Sequence, residues 1–251
     1  MLPTLKTLIQ TNRILEKRKD DNDVGYYSFV GLFSSIIFFM LVGIFYDGSV
    51  DTQELIIVFC YLTLMVLFID ISLVFMKYRR KAAIEPLNLK VYPLTQLQKF
   101  NFFLYLLLFD YKTIVYGVAA LTMLAYFFYK SLILSGLISL LLWLLLAVTS
   151  AVWMLAIYRI ISTFGQQIRE RLMQIFIFIY LAPAILGGFS EYLGIENYSA
   201  VLLKIPVSSQ AASVLYGLLT GNNILVLQNF GFLFLILLFG LTAYRLSPSN
   251  Y

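Results

Sequence analysis

Long apolar runs constrain this chain more than any other feature. Leu55–Met76 and Phe100–Tyr129 are each longer than the roughly 20 residues that a helix needs to cross a bilayer. Of the 251 residues, 61% are hydrophobic and only 12% are charged, whereas a soluble domain carries about twice that charged fraction. The sequence therefore predicts an all-α polytopic membrane protein, with the lipid bilayer as its surroundings.

Six segments are predicted to span the membrane, and the distribution of positive charge orients them. On this prediction fifteen of the eighteen Lys and Arg residues face the cytoplasm, as the positive-inside rule requires, and both termini lie there too. The third run is about 30 residues long, so its helix must extend below the hydrocarbon core or bend. The predicted spans are Ser28–Tyr46, Leu55–Met76, Phe100–Tyr129, Leu137–Tyr158, Leu172–Leu186 and Phe230–Tyr244.

Two shorter segments are predicted to lie at the membrane surfaces. Within the N-terminal segment 1–24, Leu2–Leu15 carries leucines at approximately helical spacing among basic residues, which predicts an amphipathic interfacial helix before a transmembrane domain over 25–251. The outer segment 187–229 contains Ser208–Gly221, a helix candidate capped by serine and closed by glycine but too short to cross. We expect this segment to contain short outer or re-entrant helices. Lys130–Gly136 is predicted to form a tight outer turn.

The polar stretch 77–99 separates the second and third spans. It opens with four basic residues, Lys77, Arg79, Arg80 and Lys81, which predict a cytoplasmic exit. A short helix fits Ala82–Leu89 only if Pro86 lies in its first turn, and Pro93 then breaks the chain before the next helix. This loop is where the chain can meet a soluble partner.

The composition excludes several kinds of chemistry. Histidine is absent and cysteine occurs once, at Cys60, so disulfides, histidine-based metal sites and Ser-His or Cys-His catalysis are excluded. The sequence also has no phosphate-binding loop of the GxxxxGK[ST] kind. No cofactor or metal is expected in this chain, and because the basic residues cluster in loops we expect no nucleic-acid partner.

Three ionisable residues interrupt the apolar runs: Asp70, Asp110 and Lys112. Asp110 and Lys112 are two residues apart and do not face each other on one helix, so a bridge from Lys112 to Asp70 is the preferred pairing. Such residues line a polar substrate path or gate, or they form a structural bridge near the inner headgroups. Both interpretations stay open.

The order of these elements resembles the type-2 permeases of ATP-binding cassette exporters. The basic exit YRRK, the acidic helix AAIEPLNL and the step YPLT are similar to that family's coupling loop, and IPVSSQAASVLYGLLTG is similar to its outer helix before the last span. The resemblance implies a coupling helix between spans 2 and 3 that docks a separate ATPase subunit. Its contact residues would be Ala82, Ala83, Ile84, Glu85, Pro86, Leu87, Asn88, Leu89 and Lys90.

The resemblance also implies where ATP is hydrolysed and how the protein assembles. ATP and Mg would be bound by the partner ATPase, so this chain would be a transport subunit and not an enzyme. It would pair with a second copy or a sister permease in the cytoplasmic membrane of a bacterium. Two alternatives remain: an intramembrane lipid-modifying enzyme built on Asp70 and Asp110, and a membrane assembly subunit that transports nothing.

Overall fold

The computed structural model describes residues 52–79, 95–108, 113–161 and 203–247, together with residues 171 and 175. In these ranges the chain is helical with short turns and contains no strand, which confirms the all-α prediction for the part described. Its helices are α1 (Thr52–Arg79), α2 (Gln96–Leu107), α3 (Thr113–Tyr129), α4 (Ile133–Ile161), α5 (Ser208–Thr220) and α6 (Asn223–Leu246).

The helices form a closed ring of contacts around one apolar core. In order around the ring, α1 contacts α5, α5 contacts α6, α6 contacts α4, α4 contacts α3, and α3 returns to α1. Helix α4 also touches α5 and α2. The largest fully buried side chains come from several of these helices and include Phe59, Phe102, Phe127 and Trp143. Residues distant in sequence are therefore brought together along α1, α3 and α4.

The start of α2 follows from its local sequence. Thr95 accepts a hydrogen bond from the Gln98 amide at 3.3 Å, and the Gln98 side chain accepts one from the Thr95 amide at 2.9 Å. This reciprocal capping box satisfies two amide groups that the helix itself leaves unpaired. The predicted third run lies in α2 and α3, and residues 109–112 between them are outside the described residues. Whether the run bends there stays a prediction.

A tight turn joins α3 to α4, as the sequence predicts, but it is shorter than the predicted Lys130–Gly136 because α4 already begins at Ile133. It occupies residues 130–132, with Ser131 in the left-handed region at φ 59°. The Leu132 amide donates to the Phe127 carbonyl at 2.8 Å, and the Ser131 amide donates to Phe128 at 2.9 Å. These two bonds close the C-terminus of α3, so α3 and α4 are adjacent in the fold.

The short helix predicted before the last span is present as α5, but its N-terminal cap differs from the prediction. Val207 is the cap residue, at φ 74°, and its amide donates to the Gln210 side chain at 2.6 Å. The Ser208 hydroxyl instead donates to the Ile205 carbonyl at 3.2 Å. The prediction of a serine cap is wrong because the long Gln210 side chain reaches back to the cap amide.

A glycine closes α5, as predicted, and leads at once into α6. Gly221 adopts φ 70°, and the Asn222 amide donates to the Gly217 carbonyl at 2.9 Å. The Asn222 side chain then accepts from the Leu225 amide at 3.1 Å, so α6 begins at Asn223 and not at Phe230 as predicted. Gly221 thus ends α5, and Asn222, the next residue, caps the start of α6.

The remaining predicted elements lie outside the described residues. They are the N-terminal segment 1–24, the first span Ser28–Tyr46 and, apart from residue 175, the fifth span Leu172–Leu186. The second and fourth predicted spans lie within α1 and α4, and the sixth forms the C-terminal part of α6. The number of membrane spans therefore stays a prediction.

Candidate functional site

A carboxylate is buried where α1, α3 and α4 meet. Asp70 of α1 has no exposed surface. One of its oxygens, Oδ2, accepts a hydrogen bond from the Tyr116 hydroxyl of α3 at 2.7 Å. The same oxygen accepts a second hydrogen bond from the Ser150 hydroxyl of α4. Three helices thus contribute one polar group each to a single point in an otherwise apolar core.

The spacing of residues on α4 extends this cluster toward Trp143. Trp143 and Ser150 are seven residues apart, which is nearly two helical turns, so both lie on the same face of α4. The Trp143 ring meets the Tyr116 ring edge-on, with the ring centroids 6.4 Å apart. Tyr116 therefore contacts Asp70 through its hydroxyl and Trp143 through its ring. We call Asp70, Tyr116, Trp143 and Ser150 the central cluster.

The hydrogen bonds of the central cluster stabilise the buried carboxylate of Asp70. A carboxylate moved from water into an apolar interior is strongly destabilised unless polar partners surround it. The hydroxyls of Tyr116 and Ser150 supply such partners. Each bond also holds α1 to a different helix, so the cluster can act as a structural tie or as a polar surface inside the bundle.

Two buried polar atoms of α4 have no hydrogen-bond partner among the described residues: the Trp143 Nε1 and the Thr149 Oγ1. A buried donor left in this state costs about 1–3 kcal/mol. The two side chains are six residues apart and so project from different faces of α4. Trp143, 1% exposed, lies on the face of the central cluster, whereas Thr149 does not.

The second tryptophan of α4, Trp153, has a hydrogen-bond partner for its indole N–H. The Nε1 of Trp153 donates to the Ile236 carbonyl of α6 at 3.1 Å. Gly240, one turn after Ile236, makes room for this contact, since a Cβ at that position would lie 3.1 Å from the indole nitrogen. Buried tryptophans normally find such a partner, so the unpaired Trp143 needs an explanation of its own.

A second polar junction joins α2, α4 and α6. Arg159 of α4 is only 7% exposed, and its Nη1 donates to the Tyr244 carbonyl of α6 at 3.0 Å. Its guanidinium also lies 4.8 Å from the centroid of the Tyr244 ring, which contacts the Phe100 ring of α2 at a centroid distance of 4.8 Å. The arginine thus satisfies a carbonyl in the last turn of α6, where helical carbonyls lack partners.

The structure describes one of the three predicted intramembrane ionisable residues. Asp70 is buried as described, while Asp110 and Lys112 lie outside the described residues. The proposed pairing of Asp70 with Lys112 therefore stays a prediction. The predicted ATPase contacts, residues 82–90, are also outside them.

Sequence reasoning missed the two hydroxyl partners of Asp70. Tyr116 is one of the hydroxyl-bearing residues in the third predicted apolar run. Ser150 is one of few polar residues in a long apolar run. A search for polar side chains inside apolar runs would have found both, but only the packing of α1 on α3 and α4 shows that they meet.

Two of the described helices are long and apolar enough to cross a membrane by length and composition. They are Ile133–Ile157 within α4 and Asn223–Leu246, which is α6. Of the most apolar window of each, 56% is buried inside the protein for α4 but only 11% for α6. The described part of the protein is therefore an all-helical bundle with one apolar helix on its outside.

Comparison of the chain with protein families, with curated proteins and with solved structures finds no match. Among the described residues, no group of three or more His, Cys, Asp or Glu side chains is placed to hold a metal ion. The central cluster and the exposed surface of α6 are thus the features that bear on function.

Proposed function

We propose that this chain is the membrane-spanning permease subunit of an ATP-binding cassette exporter, which moves its substrate with ATP hydrolysed by a separate subunit. The observation that carries the proposal is the α5–α6 hairpin. A 13-residue helix, too short to cross a bilayer, packs on α1 and is followed directly by a 24-residue apolar helix. The type-2 permeases that the sequence resembles have this arrangement before their last span.

The exposed face of α6 supports a membrane location. Large apolar side chains cover it, and an apolar surface of this extent is unfavourable in water. At 1.5 Å per residue the helix is about 36 Å long, enough to cross a hydrocarbon core of about 30 Å. Asn222 and Arg245 place polar groups at its two ends. The exposed side chains include Ile224, Leu227, Phe232, Phe234, Leu235, Leu238, Phe239 and Leu246.

The closed ring of helices supports a subunit that moves as a body. The central cluster ties α1 to α3 and α4, and Arg159 ties α4 to α6. If an ATPase binds the loop between α1 and α2, a movement of the ATPase displaces both of these helices. ATP binding would then favour one of two arrangements of the permease, which is a rigid-body, two-state mechanism.

Charge reversal at the predicted contact tests the proposal. The chain is co-expressed with any ATP-binding cassette ATPase whose gene lies beside its own, and co-purification and ATP hydrolysis are measured. Glu85→Lys and Lys90→Glu should each weaken the complex about tenfold, which corresponds to ~1.4 kcal/mol.

Matched controls reverse charges on the predicted opposite side of the membrane, at Asp51→Lys and Lys130→Glu. Lys130 is exposed at the turn between α3 and α4. Both controls should leave the complex and its ATP hydrolysis unchanged. Equal effects from the two pairs, or failure of any such ATPase to co-purify, would count against the proposal.

An intramembrane enzyme is the second candidate, because the buried Asp70 accepts hydrogen bonds from two hydroxyl groups. Such sites are where ionisable side chains do chemistry inside membranes. This function predicts that Asp70→Asn and Asp110→Asn abolish lipid modification in membranes that lack any ATPase, while the protein still assembles. No change in the lipid products of cells expressing these variants, as judged by mass spectrometry, would exclude it.

A further inference from the structure

We propose that Trp143 provides the hydrogen-bond donor of an internal binding site that takes a neutral acceptor, either water or an oxygen of a small molecule, between α1, α3 and α4. The starting observation is the indole Nε1, which is buried and has no partner among the described residues. Trp143 is 1% exposed, so bulk solvent does not reach it.

The Trp143 ring contacts one of the two residues that hydrogen-bond to Asp70. Its ring meets Tyr116 edge-on at 6.4 Å between centroids, and the Tyr116 hydroxyl donates to Asp70. Ser150, two turns along the same face of α4, donates to the same carboxylate oxygen. These hydroxyls use their hydrogens on Asp70, so within the central cluster the indole N–H is the donor left for a visiting molecule.

The charges of the central cluster define the chemical class of the ligand. An indole N–H donates and cannot accept, so it recognises a lone pair and not a cation. The negative charge of Asp70 disfavours an anionic ligand but does not oppose the binding of a neutral oxygen. The ligand is therefore a neutral acceptor such as water, an alcohol, an ether or an amide carbonyl.

Trp153 provides an internal comparison. It lies on the same helix, yet its Nε1 donates to the Ile236 carbonyl at 3.1 Å. The chain has only these two tryptophans, so the vibrational signal of each can be separated by substituting the other. The inference concerns this chain alone and does not depend on an ATPase partner.

The test is ultraviolet resonance Raman spectroscopy of the full chain in lipid nanodiscs, using the tryptophan band that reports hydrogen bonding of the indole N–H. The spectrum of Trp143 is obtained from Trp153→Phe, and also as the difference between the native protein and Trp143→Phe. The second route needs no change at Trp153 and so remains valid if Trp153→Phe fails to fold.

Two results support the inference and identify the source of the acceptor. A hydrogen-bonded Trp143 that exchanges its N–H with D2O indicates internal water. A band that reaches the hydrogen-bonded position only after N,N-dimethylacetamide is added indicates a site for small molecules. Acetate at the same concentration should have no effect.

Three results would overturn it. They are an N–H that stays unbonded in water and with the amide, a bonded N–H that does not exchange with D2O, and an equal shift with acetate. The second would mean that another part of the protein is the acceptor, and the third would mean that the site does not select neutral ligands.

Discussion

Single hydroxyl groups decide how the buried carboxylate is accommodated. Asp70 lies in a helix that sequence patterns identify as apolar, and burial of its charge is tolerated because Tyr116 and Ser150 donate to it. Removing one donor leaves the carboxylate with one hydrogen bond fewer, and a buried acceptor that loses its partner lowers the stability of the folded protein. The stability of the bundle should therefore depend on these hydroxyls out of proportion to their size.

Tyr116→Phe is expected to lower the stability of the folded protein by about 0.5–2 kcal/mol, the range for hydrogen bonds within helical bundles and to charged groups. The measurement is reversible unfolding in mixed micelles with increasing detergent denaturant. Tyr129→Phe is the matched control, since Tyr129 is 78% exposed, and should change stability by less than about 0.5 kcal/mol. Equal effects at the two positions would show that the hydrogen bond to Asp70 contributes nothing measurable.

At the scale of elements, glycine sets how closely α5 approaches α6. A Cβ at Gly217 would lie 2.8 Å from Val226 Cγ2 and 3.2 Å from the Asn222 carbonyl oxygen. Gly231, within α6, has nothing within 4 Å of the same position. The sequence pattern around Gly217 and Gly221 is weak by itself, but the structure gives Gly217 a specific packing role.

These two glycines should respond to alanine in opposite directions. Gly217→Ala is expected to destabilise the protein by about 1–3 kcal/mol, because the new methyl group forces the hairpin apart. Gly231→Ala should stabilise it by up to about 1 kcal/mol, since alanine favours the helix and meets no obstacle. The same unfolding assay measures both. Stabilisation by Gly217→Ala would contradict the close packing of α5 on α6.

At the scale of the molecule, the main feature is the apolar surface that α4 and α6 expose. In a soluble bundle a long apolar helix is buried, whereas α6, whose most apolar window is as hydrophobic as that of α4, is buried over only 11% of that window. The exposed side chains of α4, such as Leu134, Leu141 and Leu144, add to this surface. The proposed location in a bilayer would account for this arrangement, because the hydrocarbon core is as apolar as these side chains.

Substituting arginine at the centre of α6 tests whether the exposed face of this helix contacts lipid or water. Leu235, 53% exposed, is near the middle of the helix, where an arginine costs about 2.5–3.5 kcal/mol of membrane insertion. Leu235→Arg should therefore reduce the amount of protein retained in membranes after alkaline extraction.

Leu246→Arg is the control for this substitution, because Leu246 is 85% exposed at the end of the helix beside Arg245. An arginine there can extend to the headgroups and should be tolerated. If Leu235→Arg instead gives a folded protein that is soluble without detergent, the membrane assignment is wrong.

The amino-acid sequence by itself determined the helical class, the positions of α1 and α4, the C-terminal part of α6, the turn after α3 and the short helix α5 with its closing glycine. These features follow from apolar run length and from local cap chemistry, both of which are visible in neighbouring residues. It did not predict that Gln210 completes the start of α5, because the helix begins at Ser208 itself and the cap residue is Val207, whose side chain cannot accept a hydrogen bond.

Only the tertiary structure decided which polar groups meet. Asp70 pairs with Tyr116 and Ser150, 46 and 80 residues away in sequence, and Arg159 reaches the end of α6. Contacts across such separations depend on how helices are rotated against one another. Helix periodicity places a residue on a face, and the packing of the whole bundle then determines which other face it meets.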